Sequence, residues 1–286
     1  MSGPRRETFP QSTFPDLRIL HIDNLLPHEE HDDQRARPLI ERLKQATHWL
    51  NPPIVAPIYN SGLYVILDGA NRHFALKTLG YEHILVQAVD YESEAVVLDT
   101  WHHAVRALTI DRFLPALHAI EGVSVRETSL LNARAALAAR DILSYVVTRD
   151  SRVFALTYSG DSPSRTAMLR RVVNAYRHQA KISRITHDEI AHVRDNYPDV
   201  IGLVVFPRYD PAEIMVAARD NDLLPPGITR HIIFGRALRL NYPLQELRYA
   251  SVSLEEKNRQ LKTWIQERLD AKRVRFYAEP TFVFDE

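Results

Sequence analysis

The sequence predicts an α/β (α+β) protein with a small N-terminal α/β domain and a larger mixed α/β C-terminal domain. Two observations favour this class. Residues 16–92 read as strand, helix, strand, strand, helix, strand, and helix-like and strand-like stretches then alternate through residues 93–286. The segment 1–15 is rich in Pro, Ser and Thr, and we expect it to be a flexible N-terminus.

The first half of the small domain shows one strand and one helix. Apolar residues alternate from Leu17 to His21, which is typical of a short strand. Apolar side chains then recur at helical spacing from Leu39 to Leu50, and we expect Pro38 in the first turn of that helix.

The second half predicts a hairpin, a helix and a last strand. The turn Asn60–Gly62 separates two apolar runs that read as strands. A helix is expected from about Asn71 to Leu79, because Gly80 stands where a helix C-terminus favours glycine. The stretch "HILVQAVDY" then reads as a strand.

The C-terminal region mixes helices and buried strands. Ser253, with a glutamate three residues later, forms a capping box that opens a long helix. Other predicted helices are "SLLNARAALAARDIL" and "RTAMLRRVVNAYRHQ", and predicted strands are "RVFALTYSG" and "VIGLVVFP".

Composition excludes several classes of function. The 36 basic and 36 acidic residues cancel, so no global field attracts nucleic acid or an anionic membrane. The absence of cysteine excludes disulfides, thiolate metal sites and cysteine nucleophiles. No apolar run is long enough for a membrane span and no secretory signal is visible, so we expect a cytoplasmic protein.

The stretch "VILDGANRHFALKTLGY" places Asp68, Gly69, Asn71, Arg72 and His73 between a strand and a helix. Amides at a helix N-terminus bind phosphate, glycine lets the backbone approach an anion closely, and arginine matches phosphate oxygens. Asp68 is placed to contact a magnesium ion or a hydroxyl. An ordinary Asp-Gly turn with a capped helix explains the same residues, and this alternative remains open.

Three further stretches carry polar side chains. "PHEEHDD" follows the first strand and is either a solvated loop or the source of a glutamate base. Trp101 and His102 follow the small domain, and a Pro-Gly loop presents Thr229, Arg230 and His231, a set suited to a carboxylate or a phosphate. Core packing of the tryptophan, surface exposure of the histidine and a purely structural turn are the alternatives.

Together these motifs resemble a known family. "LDGANRHFALKTLG" is similar to the signature of the ParB/sulfiredoxin-type domain. With "PHEE", "DTWHHAV" and "LPPGITRHIIFGRALRLNYPL" in the same order, the chain resembles the free-serine kinases, which convert L-serine to O-phospho-L-serine with ATP or ADP. The resemblance implies an active site in the cleft between two domains, Mg²⁺ as cofactor, and a place in cysteine or siderophore biosynthesis.

The resemblance also implies residue roles. Glu29 corresponds to the catalytic base, with Glu30 as its neighbouring competitor, and Asp68 corresponds to the catalytic acidic residue of the phosphate loop. Nucleotide phosphates are expected on Gly69, Asn71, Arg72 and His73, and serine or phosphoserine on Trp101, His102, Thr229, Arg230 and His231. The family's usual histidine is replaced by Asn71, and the missing cysteine excludes sulfiredoxin activity.

Two other functions stay open. A ParB-like nucleotide-binding regulator would use the same phosphate loop on DNA, although no helix-turn-helix is evident and nucleic acid is not the expected partner. A non-catalytic sensor of an amino acid or phosphoserine would use the same scaffold. We expect a monomer or a homodimer, and the residues that hold the metal are not identified by the sequence.

Overall fold

The computed structural model describes residues 14–159, 164–248 and 251–277, so most of the predicted flexible segment 1–15 lies outside the described residues. The chain forms two compact units. The first holds the described residues up to Leu26, then His31–Val97, then the described residues from Ile232 onward. The second holds Pro27–Glu30 and Leu98–His231.

The elements alternate along the chain as a mixed α/β fold requires. The strands are β1 (Asp16–His21), β2 (Leu25–Pro27), β3 (His48–Trp49), β4 (Ile54–Ile58), β5 (Leu63–Asp68), β6 (His83–Ala88), β7 (Val96–Thr100), β8 (His102–Arg106), β9 (Val123–Thr128), β10 (Ser144–Thr148), β11 (Val153–Tyr158), β12 (Lys181–Ile185), β13 (Val200–Val205), β14 (Thr229–Ile233) and β15 (Tyr242–Pro243). The helices are α1 (Asp33–Gln45), α2 (Ala70–Thr78), α3 (Ile110–His118), α4 (Leu130–Ala138), α5 (Arg165–Arg177), α6 (Ile190–Asn196), α7 (Pro211–Arg219) and α8 (Leu254–Asp270).

The first unit is built on a five-stranded sheet in the order β1-β6-β4-β5-β2. Strand β4 runs parallel to β6 and antiparallel to β5, and the β4–β5 hairpin turns at Asn60 and Gly62, which both have positive φ. Strand β5 ends at Asp68 and α2 begins two residues later. The predicted strand-turn-helix is therefore present, and it puts Asp68 and Gly69 at one end of the sheet.

Helix α8 belongs to this first unit. Leu261 is buried in the same core as Ile19 and Leu85. The side chain of Asn258 donates to the carbonyl of Ile19 and accepts from its amide, at 2.8 and 2.9 Å, so it pairs with the open edge of β1. The structure therefore differs from a division at residue 92, because residues 232–248 and 251–277 belong to the same unit as the N-terminal sheet.

Helix α1 starts and ends earlier than the spacing predicts. Asp32 caps it by accepting from the amide of Gln34, so Pro38 lies in the second turn and not the first. The helix ends at Gln45, and Trp49 turns back as part of β3, where its indole donates to the carbonyl of Leu85. Burial of that indole in the core explains why the helical spacing does not continue to Leu50.

The second unit contains a six-stranded sheet in the order β12-β8-β13-β10-β11-β9, with antiparallel pairing between neighbours. One apolar cluster packs α3 and α5 through Phe113, Val172 and Tyr176. A second packs α4 and α6 through Ala133 and Val193. In the part of the chain that the structure describes, no helix has both the length and the apolar character needed to cross a membrane.

Candidate functional site

The loop between β5 and α2 has the backbone geometry of an anion-binding helix start. Gly69 is the N-cap of α2. Its backbone has a φ of +98, which residues other than glycine rarely adopt. A Cβ at this position would lie 3.0 Å from Pro53. The amides of Ala70 and Asn71 precede the first hydrogen bonds of the helix and point out of its end.

Arg72 is already bound to the protein backbone. Its Nη1 donates to the carbonyls of Asn51 and Pro52 at 2.6 and 3.2 Å, and its Nη2 donates to Asp68 at 2.9 Å. Burial lowers the pKa of Arg72 to about 10. The side chain therefore fixes the segment before β4 against the loop, and its capacity for a phosphate is small.

Asp68 binds a second arginine that sequence reasoning missed. Nη2 of Arg236 donates to the same Oδ2 that accepts from Arg72. Among the described residues, Oδ1 of Asp68 accepts no hydrogen bond. The glycine before this arginine, in "FGRALR", is the one local signal of a turn that presents a side chain.

The side chains of Asn71 and His73 contact different segments of the first unit. The side-chain oxygen of Asn71 accepts from the amide of Asp32 at 2.9 Å, which orients its NH₂ group as a donor elsewhere. His73 is 6% exposed, and its Nε2 donates to the carbonyl of Ile22 at 3.0 Å. Burial lowers the pKa of His73. Its imidazole faces the core of the first unit, so any contribution to an anion comes through the helix that it anchors.

In the second unit, Glu29 lies in a cradle of donors from the Pro-Gly loop. Oε1 accepts from the amides of Ile228 and Thr229 at 3.1 and 2.6 Å and from the Thr229 hydroxyl at 2.6 Å. Oε2 accepts one hydrogen bond, from the amide of Gly227 at 2.8 Å. Oε2 accepts one hydrogen bond where Oε1 accepts three, so Oε2 keeps capacity for a further proton donor.

The neighbouring Glu30 has a different environment. Its Oε1 lies 3.7 Å from Nε of Arg170, and its Oε2 lies 3.5 Å from Nη1 of Arg177. Both arginines are on α5. Its amide donates to the carbonyl of Leu224, whose amide donates to the carbonyl of His28. Glu30 is therefore part of the attachment of the segment Pro27–Glu30 to the second unit.

Thr229 links His28 to Glu29. Thr229 has one hydroxyl proton and donates it to Glu29, so the Nε2–H of His28 donates to Thr229 Oγ1 at 2.7 Å. The ring of His231 meets the ring of His28 edge-on, with centroids 5.4 Å apart. The structure thus brings together Glu29, Thr229 and His231.

Arg230 stacks on Trp101. Its guanidinium carbon lies 4.6 Å from the centroid of the indole, and its Nη1 is 3.3 Å from Oδ2 of Asp99. The amide of Trp101 donates to the carbonyl of Ile228 at 2.7 Å, which ties the tryptophan to the loop that holds Glu29. A guanidinium fixed on an aromatic face is a suitable receptor for a carboxylate.

His102 and His103 are both buried, so the surface exposure that the sequence left open for His102 does not hold. His102 accepts from the amide of Phe206, and burial lowers its pKa to about 4. His103 lies 3.3 Å from the carbonyl of Gly227 through Nε2 and 2.8 Å from the hydroxyl of Tyr176 through Nδ1. A carbonyl only accepts, so Nε2 carries the proton and Tyr176 donates to Nδ1. Burial lowers the pKa of His103 to about 3.

The loop around Asp68 fits a magnesium ion only together with a nucleotide. Among the described residues, no group of three or more His, Asp or Glu side chains is arranged to hold a metal. Beside a nucleotide, Mg²⁺ uses one or two carboxylates, phosphate oxygens and water. Oδ1 of Asp68 meets that need for one protein ligand.

The chain is similar in sequence to proteins named as L-serine kinases. No protein-family model matches the chain. It is 34% identical over 109 residues to an ATP-dependent L-serine kinase of Staphylothermus marinus, a match that spans 38% of this chain and 42% of that relative. It is 24% identical over 277 residues to the ATP-dependent L-serine kinase SbnI of Staphylococcus aureus, which spans 94% of this chain and 97% of SbnI.

A solved structure extends the comparison to the fold. A free serine kinase with a Glu-to-Gln substitution, in complex with AMP, superimposes with a TM-score of 0.72 at 19% identity. The match covers 85% of this chain and 98% of that structure. The chain therefore has the mixed α/β fold of the free serine kinases.

Proposed function

We propose that the protein is a phosphotransferase that phosphorylates free L-serine to O-phospho-L-serine, with ATP or ADP as the donor. The observation that carries the proposal is the cradle of Glu29. This carboxylate is held by four hydrogen bonds, and its Oε2 retains room for a hydroxyl proton. A base oriented in this way suits deprotonation of a serine side chain.

In this proposal the nucleotide phosphates bind at the start of α2. The outward amides of Ala70 and Asn71 receive phosphate oxygens, and Gly69 allows the close approach. Asp68 would hold Mg²⁺ through Oδ1, and the ion would neutralise phosphate charge. Phosphoryl transfer depends mainly on positioning and on stabilising negative charge, and this loop supplies both.

Serine is bound by the second unit. Its carboxylate pairs with Arg230, which Trp101 and Asp99 hold in place. Oε2 of Glu29 accepts the hydroxyl proton as the serine oxygen forms a bond to the terminal phosphorus, and the bond from that phosphorus to the nucleotide breaks. The products are O-phosphoserine and the shortened nucleotide, which is ADP when ATP is the donor and AMP when ADP is the donor.

The rival reading as a DNA-bound regulator has less support. It needs the basic face of α5, yet Arg165 donates to the carbonyls of Arg140 and Ile142, and Arg170 and Arg177 pair with Glu30. These cations are used inside the second unit, which leaves little of that face for a phosphate backbone. We assign the phosphate loop to the ParB/sulfiredoxin type and expect a cytoplasmic monomer or homodimer.

Phosphorus NMR tests the proposal. Purified protein with Mg²⁺, L-serine and either ATP or ADP should give a phosphomonoester signal that matches O-phosphoserine, and Glu29→Gln should remove most of it. Reactions with L-threonine and L-homoserine serve as substrate controls. A protein that shows no serine-dependent signal with either nucleotide contradicts the kinase assignment and favours the sensor or the regulator.

A further inference from the structure

Arg236 lies in a turn whose backbone is fixed by a buried side chain. Gln87 on β6 is 3% exposed. Its Nε2 donates to the carbonyl of Gly235 at 3.1 Å, and its Oε1 accepts from the amide of Ala237 at 2.8 Å. One amide side chain thus binds the residues on both sides of Arg236 and sets its position.

The guanidinium of Arg236 is directed at the phosphate loop. It donates to Oδ2 of Asp68, the oxygen that also accepts from Arg72. Arg72 has two backbone carbonyls as further acceptors, whereas Asp68 is the one hydrogen-bond partner of the Arg236 side chain among the described residues. The Arg236 side chain is 32% exposed, against 22% for Arg72.

The charges around Asp68 do not balance. One carboxylate faces two guanidinium groups, beside a helix start that carries partial positive charge of its own. Burial also lowers the pKa of Arg236, because the guanidinium of this second cation loses part of its hydration at the loop. Arg72 alone is enough to neutralise Asp68, and the surplus charge is suited to an anion that binds at the loop.

We propose that Arg236 is a phosphate-binding residue of the nucleotide site and that Gln87 is its positioning residue. The inference rests on the proposed function, since the anion is the phosphate chain of a nucleoside di- or triphosphate. Nη1 and Nε of Arg236, which have no partner among the described residues, bind phosphate oxygens while Nη2 stays on Asp68.

The test is calorimetric binding of adenosine, AMP, ADP and ATP to the intact chain. Arg236→Met should weaken ADP and ATP binding by about tenfold or more, the usual effect of losing a charged hydrogen bond. Adenosine has no phosphate, so its affinity should stay within about twofold of the wild type. Arg236→Lys keeps the charge but loses the forked guanidinium, so its affinity for ADP and ATP should lie between those of the wild type and of Arg236→Met. This variant guards against a folding defect in the methionine variant.

Arg18→Met is the matched control. Arg18 also pairs with an aspartate of the first unit, Asp16, and its loss removes the same charge away from the loop. This variant should bind every nucleotide as the wild type does. Equal ADP affinity in the wild type and in folded Arg236→Met would overturn the inference while leaving the kinase proposal intact. A loss of adenosine affinity as large as the loss of ADP affinity in Arg236→Met would have the same meaning. A wild type that binds no nucleotide would refute both.

A double-mutant cycle tests the role of Gln87. Gln87→Met should weaken ADP binding in the wild type, because the turn that carries Arg236 loses both of its anchors. In an Arg236→Met background the same change should have little further effect on ADP affinity. Additive losses would mean that Gln87 acts on the fold in general, and would overturn its assignment as a positioning residue.

Discussion

The imidazole of His103 lies behind the loop that binds Glu29, and its Nε2–H donates to the carbonyl oxygen of Gly227. The amide of the same Gly227 donates to Glu29, so this residue accepts a hydrogen bond from His103 and donates one to the proposed base. Tyr176 completes the series by donating to Nδ1 of His103. The position of the proposed base therefore depends on two side chains that are buried in the core.

Tyr176→Phe should disturb the base without unfolding the protein. It removes one buried hydroxyl, which should lower the free energy of unfolding by about 1 kcal/mol. Because His103 then loses the partner that fixes its ring, kcat for serine should fall several-fold while nucleotide affinity is unchanged. Urea denaturation, kinetics and ADP binding measure the three effects.

Tyr145→Phe is the control for that variant. Tyr145 is buried in the same unit and donates to Asp188, away from the Gly227 loop. A similar loss of stability with normal kcat is expected. If both variants reduce kcat equally, the effect is general loosening of the unit and the role given to Tyr176 is wrong.

Glu29→Gln and Glu30→Gln should have different effects. Glu29→Gln removes the group that accepts the serine proton and should lower kcat by about 10²- to 10⁴-fold with nucleotide binding retained. Glu30→Gln weakens the ion pairs to Arg170 and Arg177 and should mainly lower stability. Steady-state kinetics and calorimetry with ADP separate them. Full activity in Glu29→Gln together with loss in Glu30→Gln would move the base by one residue.

Gly69→Ala should damage the phosphate loop, and Gly80→Ala provides its control. Both glycines have positive φ, +98 and +73, so each alanine costs about 1 kcal/mol of backbone strain. Only at Gly69 does the added Cβ also meet Pro53, at 3.0 Å, whereas nothing lies within 4 Å of a Cβ at Gly80. ADP affinity should fall in Gly69→Ala alone, and an equal fall in both variants would contradict this account of the loop.

The unfolding free energy should decrease as the pH falls below about 6.5. The folded pKa values of His102 and His103 are lowered to about 4 and about 3, so between those values and the ordinary 6.5 the unfolded chain binds more protons than the folded one. Each histidine then contributes a loss of up to about 1.4 kcal/mol per pH unit. Urea denaturation from pH 7.5 to 4.5 measures the slope.

A pair of variants assigns that slope. His103→Gln should make the pH dependence shallower, because one buried titrating group is gone. Gly80→Ala, which removes no titratable group, should leave the slope unchanged. A slope that is the same in His103→Gln and the wild type would show that other groups control the acid sensitivity.

Local sequence was enough to predict the strand-turn-helix around Gly69, because alternation, a glycine and helical spacing act within about fifteen residues. The contacts that build the sites depend on residues far apart in the chain. Glu29 binds amides about 200 residues later, and Gln87 positions a turn about 150 residues later. No local pattern encodes such pairs, so Arg236 was missed, and the contact of His103 with Gly227 was not predicted although its motif was.

Burial explains the other differences. His73 and His102 stand in polar stretches that read as surface, yet each is oriented by a backbone group inside a core. Histidine is equally compatible with both environments, so residue type alone cannot distinguish them. The ligand-binding roles that the sequence predicts for these two histidines remain predictions.

The pairing of Asn258 with Ile19 has a consequence for synthesis on the ribosome. The two residues are 239 positions apart, and at usual elongation rates the second emerges roughly 10 to 50 s after the first. The second unit, whose last residue is His231, is fully translated before α8 appears. During that interval the nascent β1 presents an open edge, so chains that stall before Asn258 should be the ones that aggregate and engage chaperones.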